Sequence, residues 1–267
     1  MLRGMRPEEP EHDEVPALEL SGLTKRFGDF TAVGGLDLRV ARGELFGLLG
    51  PNGAGKTTTI RLLMGILKAT TGTARILGHD CFKDRVEVMR HVGYLPDEPT
   101  FHDYLRGREL LQFVADMHGL DSSWFGQRAR PLIERLELTN AMDEFAVNYS
   151  RGMKKKLALV CALAHEPRLL ILDEPTSGLD PIATRQLNAL LIEESQRGTT
   201  VVLSSHLLDQ VQRLCHRMAI IAGGRLRAVG TLGELRLRAS GESSLEDIFF
   251  AVTSGAADEL AAKEAGQ

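Results

Sequence analysis

The run Gly50-Pro51-Asn52-Gly53-Ala54-Gly55-Lys56-Thr57 constrains this chain more than any other stretch. It follows five unbroken apolar residues, Leu45-Phe46-Gly47-Leu48-Leu49, and precedes Ile60, Leu63, Met64 and Leu67 at helical spacing. A strand without alternation is one buried on both faces, as in a parallel sheet. Strand, glycine turn and helix together give the pattern G-x-x-x-x-G-K-[ST] the context that makes it a phosphate loop. The glycines let backbone N–H groups turn toward a phosphate, and the helix N-terminus adds partial positive charge. Gly50, Pro51, Asn52, Gly53, Ala54 and Gly55 are therefore expected to cradle a nucleoside triphosphate. Lys56 suits the β- and γ-phosphates, the Thr57 hydroxyl suits Mg²⁺, and Thr58 falls near the α-phosphate.

The rest of the 267 residues reads as one large α/β unit or one unit with two lobes. Leu169-Leu170-Ile171-Leu172 and Thr200-Val201-Val202-Leu203 are further candidate buried strands. Ala17 to Leu20 and Leu36 to Val40 alternate like half-buried ones, and Gly223-Gly224 marks a hairpin turn. From Phe101 to Leu138 the apolar spacing is helical and no strand-like run interrupts it, so a helical lobe over about 98–165 is expected inside the α/β core. The polar, proline-containing residues 1–16 are expected to be a disordered tail. The main domain is expected over 17–235, with a partly disordered extension over 236–267 that frays from Ala256.

A net charge of −4 offers no basic field for nucleic acid. Cys81, Cys161 and Cys215 fit neither a disulfide framework nor metal-ligand spacing and read as buried thiols. No stretch reaches the roughly 18–20 apolar residues of a bilayer-spanning helix. If the chain serves a membrane process, another chain supplies the membrane part.

Three further clusters carry chemistry. The strand ending in Asp173-Glu174 offers one carboxylate to Mg²⁺ and, one residue on, a second that can meet water attacking the γ-phosphate. His206 follows the next strand and is read as a γ-phosphate contact. Tyr149-Ser150-Arg151-Gly152-Met153 opens a helix with a Ser/Gly-led N-terminus, half of a second phosphate site. The adjoining Lys154-Lys155-Lys156 reads as a solvated helix face.

From Ala17 to Gly230 these residues resemble the nucleotide-binding subunit of an ABC transporter. The resemblance implies a RecA-like P-loop core, an N-terminal antiparallel β subdomain and an inserted helical lobe. It also implies ATP with Mg²⁺ as ligands and a homodimer of ATPase subunits working with a separate membrane permease at the cytoplasmic face of the cell membrane. Asp173 and Glu174 fall on the family's Walker B pair, with Glu174 as general base, and His206 on its switch histidine. Phe27 falls on the aromatic that stacks on adenine; the sequence alone leaves open a core aromatic. Ser177-Gly178-Leu179-Asp180 is similar to the D-loop that meets the opposite subunit, so Asp180 joins the expected site.

Two departures are informative. The usual L-S-G-G-Q signature is replaced by Y-S-R-G-M, which keeps Ser150 and Gly152 and is similar to exporter-type subunits. Asp97 stands where the family usually has a glutamine, which makes it a candidate Mg²⁺ contact. Leu245-Glu246-Asp247-Ile248-Phe249 resembles the C-terminal segment of the same subunits, though an amphipathic packing helix explains it equally well. A non-transport ABC ATPase acting on ribosomes or nucleic acid is the alternative. Such proteins usually carry two ATPase domains or a very long coiled-coil insertion, and this chain has neither. A metabolite kinase would leave Ser150, Asp180 and His206 unexplained.

Overall fold

The computed structural model describes residues 15–121, 123–238 and 244–264, apart from side chains at 126, 238 and 255–264. All but two residues of the tail expected over 1–16 lie outside that set. The chain begins with β1 (Leu18–Phe27), β2 (Phe30–Val40) and β3 (Leu45–Leu49), followed by α1 (Lys56–Leu63). Next come β4 (Thr71–Ile76), β5 (His79–Asp80), α2 (Arg85–His91) and β6 (Val92–Leu95). Only helices and turns follow up to β7 among the described residues, apart from one isolated bridge between Arg106 and Phe145. They are α3 (Gly107–His118), a π-helical segment (Phe125–Ala129), α4 (Arg130–Arg135), two short 3-10 turns (Thr139–Ala141 and Ala146–Asn148) and α5 (Arg151–Leu163). The last part holds β7 (Leu169–Asp173), α6 (Pro181–Gln196), β8 (Thr200–Ser205) and α7 (Leu208–Leu214). β9 (Arg217–Ala222), β10 (Arg225–Gly230), α8 (Leu232–Arg238) and α9 (Leu245–Glu264) complete it.

The strands form two sheets. The first is antiparallel in the order β2-β1-β4-β5, and the second runs β10-β9-β3-β8-β7-β6. In the second sheet only the β9–β10 hairpin is antiparallel. β3, β7 and β8 are buried at every position, as their unbroken apolar runs required. One apolar core lies between this sheet and the helical lobe. The other lies between the two sheets, around Phe46, Ile60 and Leu63.

β1 and β2 run further than their alternating segments suggested. Register shifts between Leu20 and Lys25 break the period of two, and Gly22 takes φ 55° there. Ile248 and Leu245 are buried, so α9 packs on the core; its backbone stays helical to Glu264, where fraying from Ala256 was expected. Polar ties hold the helical lobe together and bind it to the core. Trp124 Nε1 donates to the Ala164 carbonyl at 2.6 Å, and Arg135 grips Glu193 with two bonds of 2.6 and 2.7 Å. Truncating a wholly buried strand residue such as Leu170 to Ala would cost about 2–5 kcal/mol.

Candidate active site

Strand register decides where the chemistry gathers. In the parallel sheet Leu49 lies opposite Ser205, and Asp173 lies opposite Ser204. The C-terminal ends of β3, β7 and β8 are therefore flush. The phosphate loop leaves the first, Asp173 and Glu174 end the second, and His206 follows the third. A crevice outside the carboxyl ends of parallel strands is where open α/β sheets bind ligands.

The loop is held by its surroundings. Gly55, the residue before α1, has φ 102°, and a Cβ there would lie 2.6 Å from the Ala32 carbonyl of β2. Only glycine meets both demands. Gly224, in the β9–β10 turn, donates its N–H to the Ala54 carbonyl at 3.0 Å and accepts from Gly34. The Lys56 ammonium is buried. It donates to the Gly50 carbonyl at 2.6 Å and the Pro51 carbonyl at 3.2 Å, and lies 3.8 Å from Glu174 Oε1. Burial lowers its pKa, with Glu174 and Asp173 acting in the opposite sense. Thr57 is exposed at the loop, and Thr58 is half-buried beside it.

Glu174 has a left-handed backbone, φ 46°. Such a conformation costs a non-glycine residue about 1–3 kcal/mol and persists only where neighbours enforce it. Its N–H donates to both the hydroxyl and the carbonyl of Ser204, each at 3.2 Å. The Ser204 hydroxyl in turn donates to Asp173 Oδ1 at 2.5 Å. The Glu174 carbonyl accepts from Lys155 Nζ at 2.7 Å. Its carboxylate meets His206 Nδ1 at 2.9 Å. The histidine expected at a γ-phosphate thus touches the candidate base.

The remaining candidates take other positions. Phe27 is 49% exposed at the β1–β2 turn with Lys25 Nζ over its ring, so it is not a core aromatic. Ser150 caps α5 by accepting from Met153 N at 3.2 Å, and is exposed. Gly152 faces the Gly178 carbonyl. Asp180 caps α6 by accepting from Ala183 N, a bond that lowers its pKa. Asp97, expected as a metal contact, has its carboxylate 3.4 Å from Lys155 and 3.5 Å from Arg151.

One expectation is overturned. The Lys154 to Lys156 face is not solvated throughout, because the Lys155 side chain is only 2% exposed. Its position four and seven residues before buried Leu159 and Ala162 is the signal that could have revealed this. Ser204 was also missed. Its hint was a serine pair closing an otherwise apolar strand.

Taken together, the edge presents backbone N–H groups and a lysine for phosphates, oxygen donors for a hard cation, and a positioned carboxylate for water. That is equipment for transfer of a phosphoryl group to water. A family model described as "ABC transporter" matches residues 33–177, more than half the chain. The chain is 37% identical over 226 residues to the daunorubicin resistance ATP-binding protein DrrA3 of Streptomyces coeruleorubidus, covering 85% of this chain and 72% of that one. It is 40% identical over 240 residues to ATP-binding cassette sub-family A member 2 of Rattus norvegicus, covering 89% of this chain but 10% of that much longer protein. A solved structure of the ATP-binding subunit of an ABC transporter superposes with a TM-score of 0.85 at 32% identity, over 88% of this chain and 99% of that one. With family model, relatives and fold in agreement, the chain belongs to the ABC transporter family, as an ATP-hydrolysing subunit.

Proposed function

We propose that the chain powers an exporter of drug-like molecules as a head-to-tail homodimer on a separate membrane permease, at the cytoplasmic face of the membrane. The observation that carries this is the half-site at α5. Ser150 and Arg151, at the start of a 13-residue helix, are exposed, and Gly152, Met153 and Lys154 behind them are half-buried. Among the described residues no hydrogen bond or ion pair joins them to loop residues 50–58 of the same chain. The first amides of a helix lack intrahelical partners and favour an anion. A second copy supplies one. ATP held by residues 50–58 of one copy is closed over by Ser150 and Gly152 of the other, and Phe27 stacks on the adenine.

Thr57 and Asp173 would hold Mg²⁺, and the fit is chemical: a hydroxyl and a carboxylate are the oxygen donors that cation takes. Bound there, it would neutralise phosphate charge. Glu174 accepts a proton from water as that water attacks the γ-phosphorus. The bond from phosphorus to the bridging oxygen breaks, leaving ADP and phosphate. His206 holds the carboxylate in place meanwhile. ATP favours only the closed pair, so hydrolysis reopens it, and that difference in affinity is what drives a permease.

The resistance named for DrrA3 supports the exporter reading. No described helix is long and apolar enough to cross a membrane, which supports a separate permease. The net charge of −4 argues against nucleic acid as the partner. Ser150→Arg tests the half-site: ATP binding is expected within about threefold of wild type, with hydrolysis down at least about 10²-fold. Wild-type hydrolysis by that variant would remove the two-copy site.

A further inference from the structure

Lys155 is the least expected residue near this site. Its ammonium has three hydrogens and three acceptors: the Glu174 carbonyl at 2.7 Å, the Ser177 carbonyl at 2.9 Å and Asp97 Oδ1 at 3.4 Å. Those acceptors belong to three separate pieces of chain. Glu174 is the candidate base, Ser177 starts the loop that leads to Asp180, and Asp97 follows β6 toward the helical lobe. Lys155 itself lies one and a half turns into α5, whose N-terminus carries Ser150. Arg151, one turn earlier, reinforces the tie through Ser177 Oγ at 3.1 Å, Asp97 and Glu98.

A buried ammonium is costly unless paired, and the pairing observed is specific. Lys155 secures the carbonyl side of the left-handed Glu174 while Ser204 secures its N–H side. α5 cannot shift by an ångström without pulling on the base.

We propose that Lys155 is a positioning residue that locks Glu174 to the signature helix α5, with Asp97 as its charge partner. Resting on the two-copy site above, this means that engagement of Ser150 at one ATP is transmitted through α5 and Lys155 to the base acting on the other. Asp97 then serves as the counter-ion of this lock, not as a cation ligand.

The test uses full-length chains, with kcat counted per molecule that binds a fluorescent ATP analogue. Lys155 touches none of residues 50–58, so Lys155→Met is expected to keep KM for ATP within about twofold, while kcat falls about 10–100-fold because a base misplaced by about 1 Å loses that much. A purely structural lysine would lower the number of binding-competent molecules and leave kcat per competent molecule unchanged; that result overturns the proposal. Asp97→Asn alters a carboxylate that is 42% exposed and leaves the fold intact. It is expected to lower kcat about 3–10-fold, and the double variant is expected to be no slower than Lys155→Met alone, since coupled groups are non-additive. Full multiplication of the two effects overturns the pairing. Should Lys155→Met show no cooperative melt, an unchanged kcat in Asp97→Asn overturns it instead. Failure of the two-copy site itself looks different: wild type would then hydrolyse ATP with no dependence on Ser150.

Discussion

Ser204→Ala isolates the support of the catalytic strand end. Ser204 is wholly buried, and its hydroxyl makes the 2.5 Å bond to Asp173 and shares the Glu174 N–H. Removing that oxygen leaves the Asp173 carboxylate, itself 3% exposed, with one donor fewer. A hydrogen bond to a charged group contributes about 1.5–3 kcal/mol. The Glu174 N–H is not orphaned, because the Ser204 carbonyl still accepts it at 3.2 Å. The cavity from one oxygen is small, so the loss should be about 2 kcal/mol. For a domain of this size that is a fall of about 4–8 °C in Tm. Catalysis should suffer in addition. The left-handed Glu174 loses half of its N–H support, and kcat is expected to drop about tenfold at unchanged ATP affinity. Thermal melting by circular dichroism and steady-state phosphate release read the two effects on one preparation. A variant that melts within about 1 °C of wild type and turns over at the wild-type rate would refute the reasoning.

Other perturbations read other parts of the molecule. Burial against His118, whose ring stacks on it at 3.9 Å, pushes the His165 pKa down from 6.5 to about 4. The unfolded chain then takes up a proton between those values that the folded chain does not, so stability is complete above pH 6.5 and declines as pH falls toward 4. The gap sets a ceiling of about 3 kcal/mol, and the ring's partial exposure reduces it to roughly 1–2. His165→Gln, which keeps a donor for the Val92 carbonyl, should therefore lose less Tm than wild type between about pH 7 and 5, by roughly 1–4 °C. Equal slopes would show that His165 is not the acid-sensitive group. Phe27→Ala should raise KM for ATP about 5–10-fold with little change in kcat, the equivalent of one lost aromatic stack. An unchanged KM would remove Phe27 from the nucleotide site.

Much of the site was legible because its determinants are local. Residues 50–57 announce strand, turn and helix within a dozen positions, and Asp173-Glu174 and His206 each follow a strand whose apolar run is unmistakable. What escaped depends on pairings that no local pattern encodes. Ser204 matters because β7 and β8 align it with Asp173, and register is invisible until two strands are placed together. Lys155 escaped because a lysine triplet reads as solvent-facing, while its acceptors lie 19, 22 and 58 residues away along the chain. In the first sheet the segment Thr-Gly-Thr-Ala-Arg-Ile of β4 is too polar and too interrupted to signal a strand, and pairing with β1 makes it one.

The two-copy ATP site is tested most directly by light scattering of Glu174→Gln with ATP and Mg²⁺. Without its base the variant should hold ATP and stay closed, with a mass twice 29.3 kDa, and the added change Ser150→Arg should return it to 29.3 kDa. A Glu174→Gln chain that is saturated with ATP and still runs at 29.3 kDa would contradict the composite site.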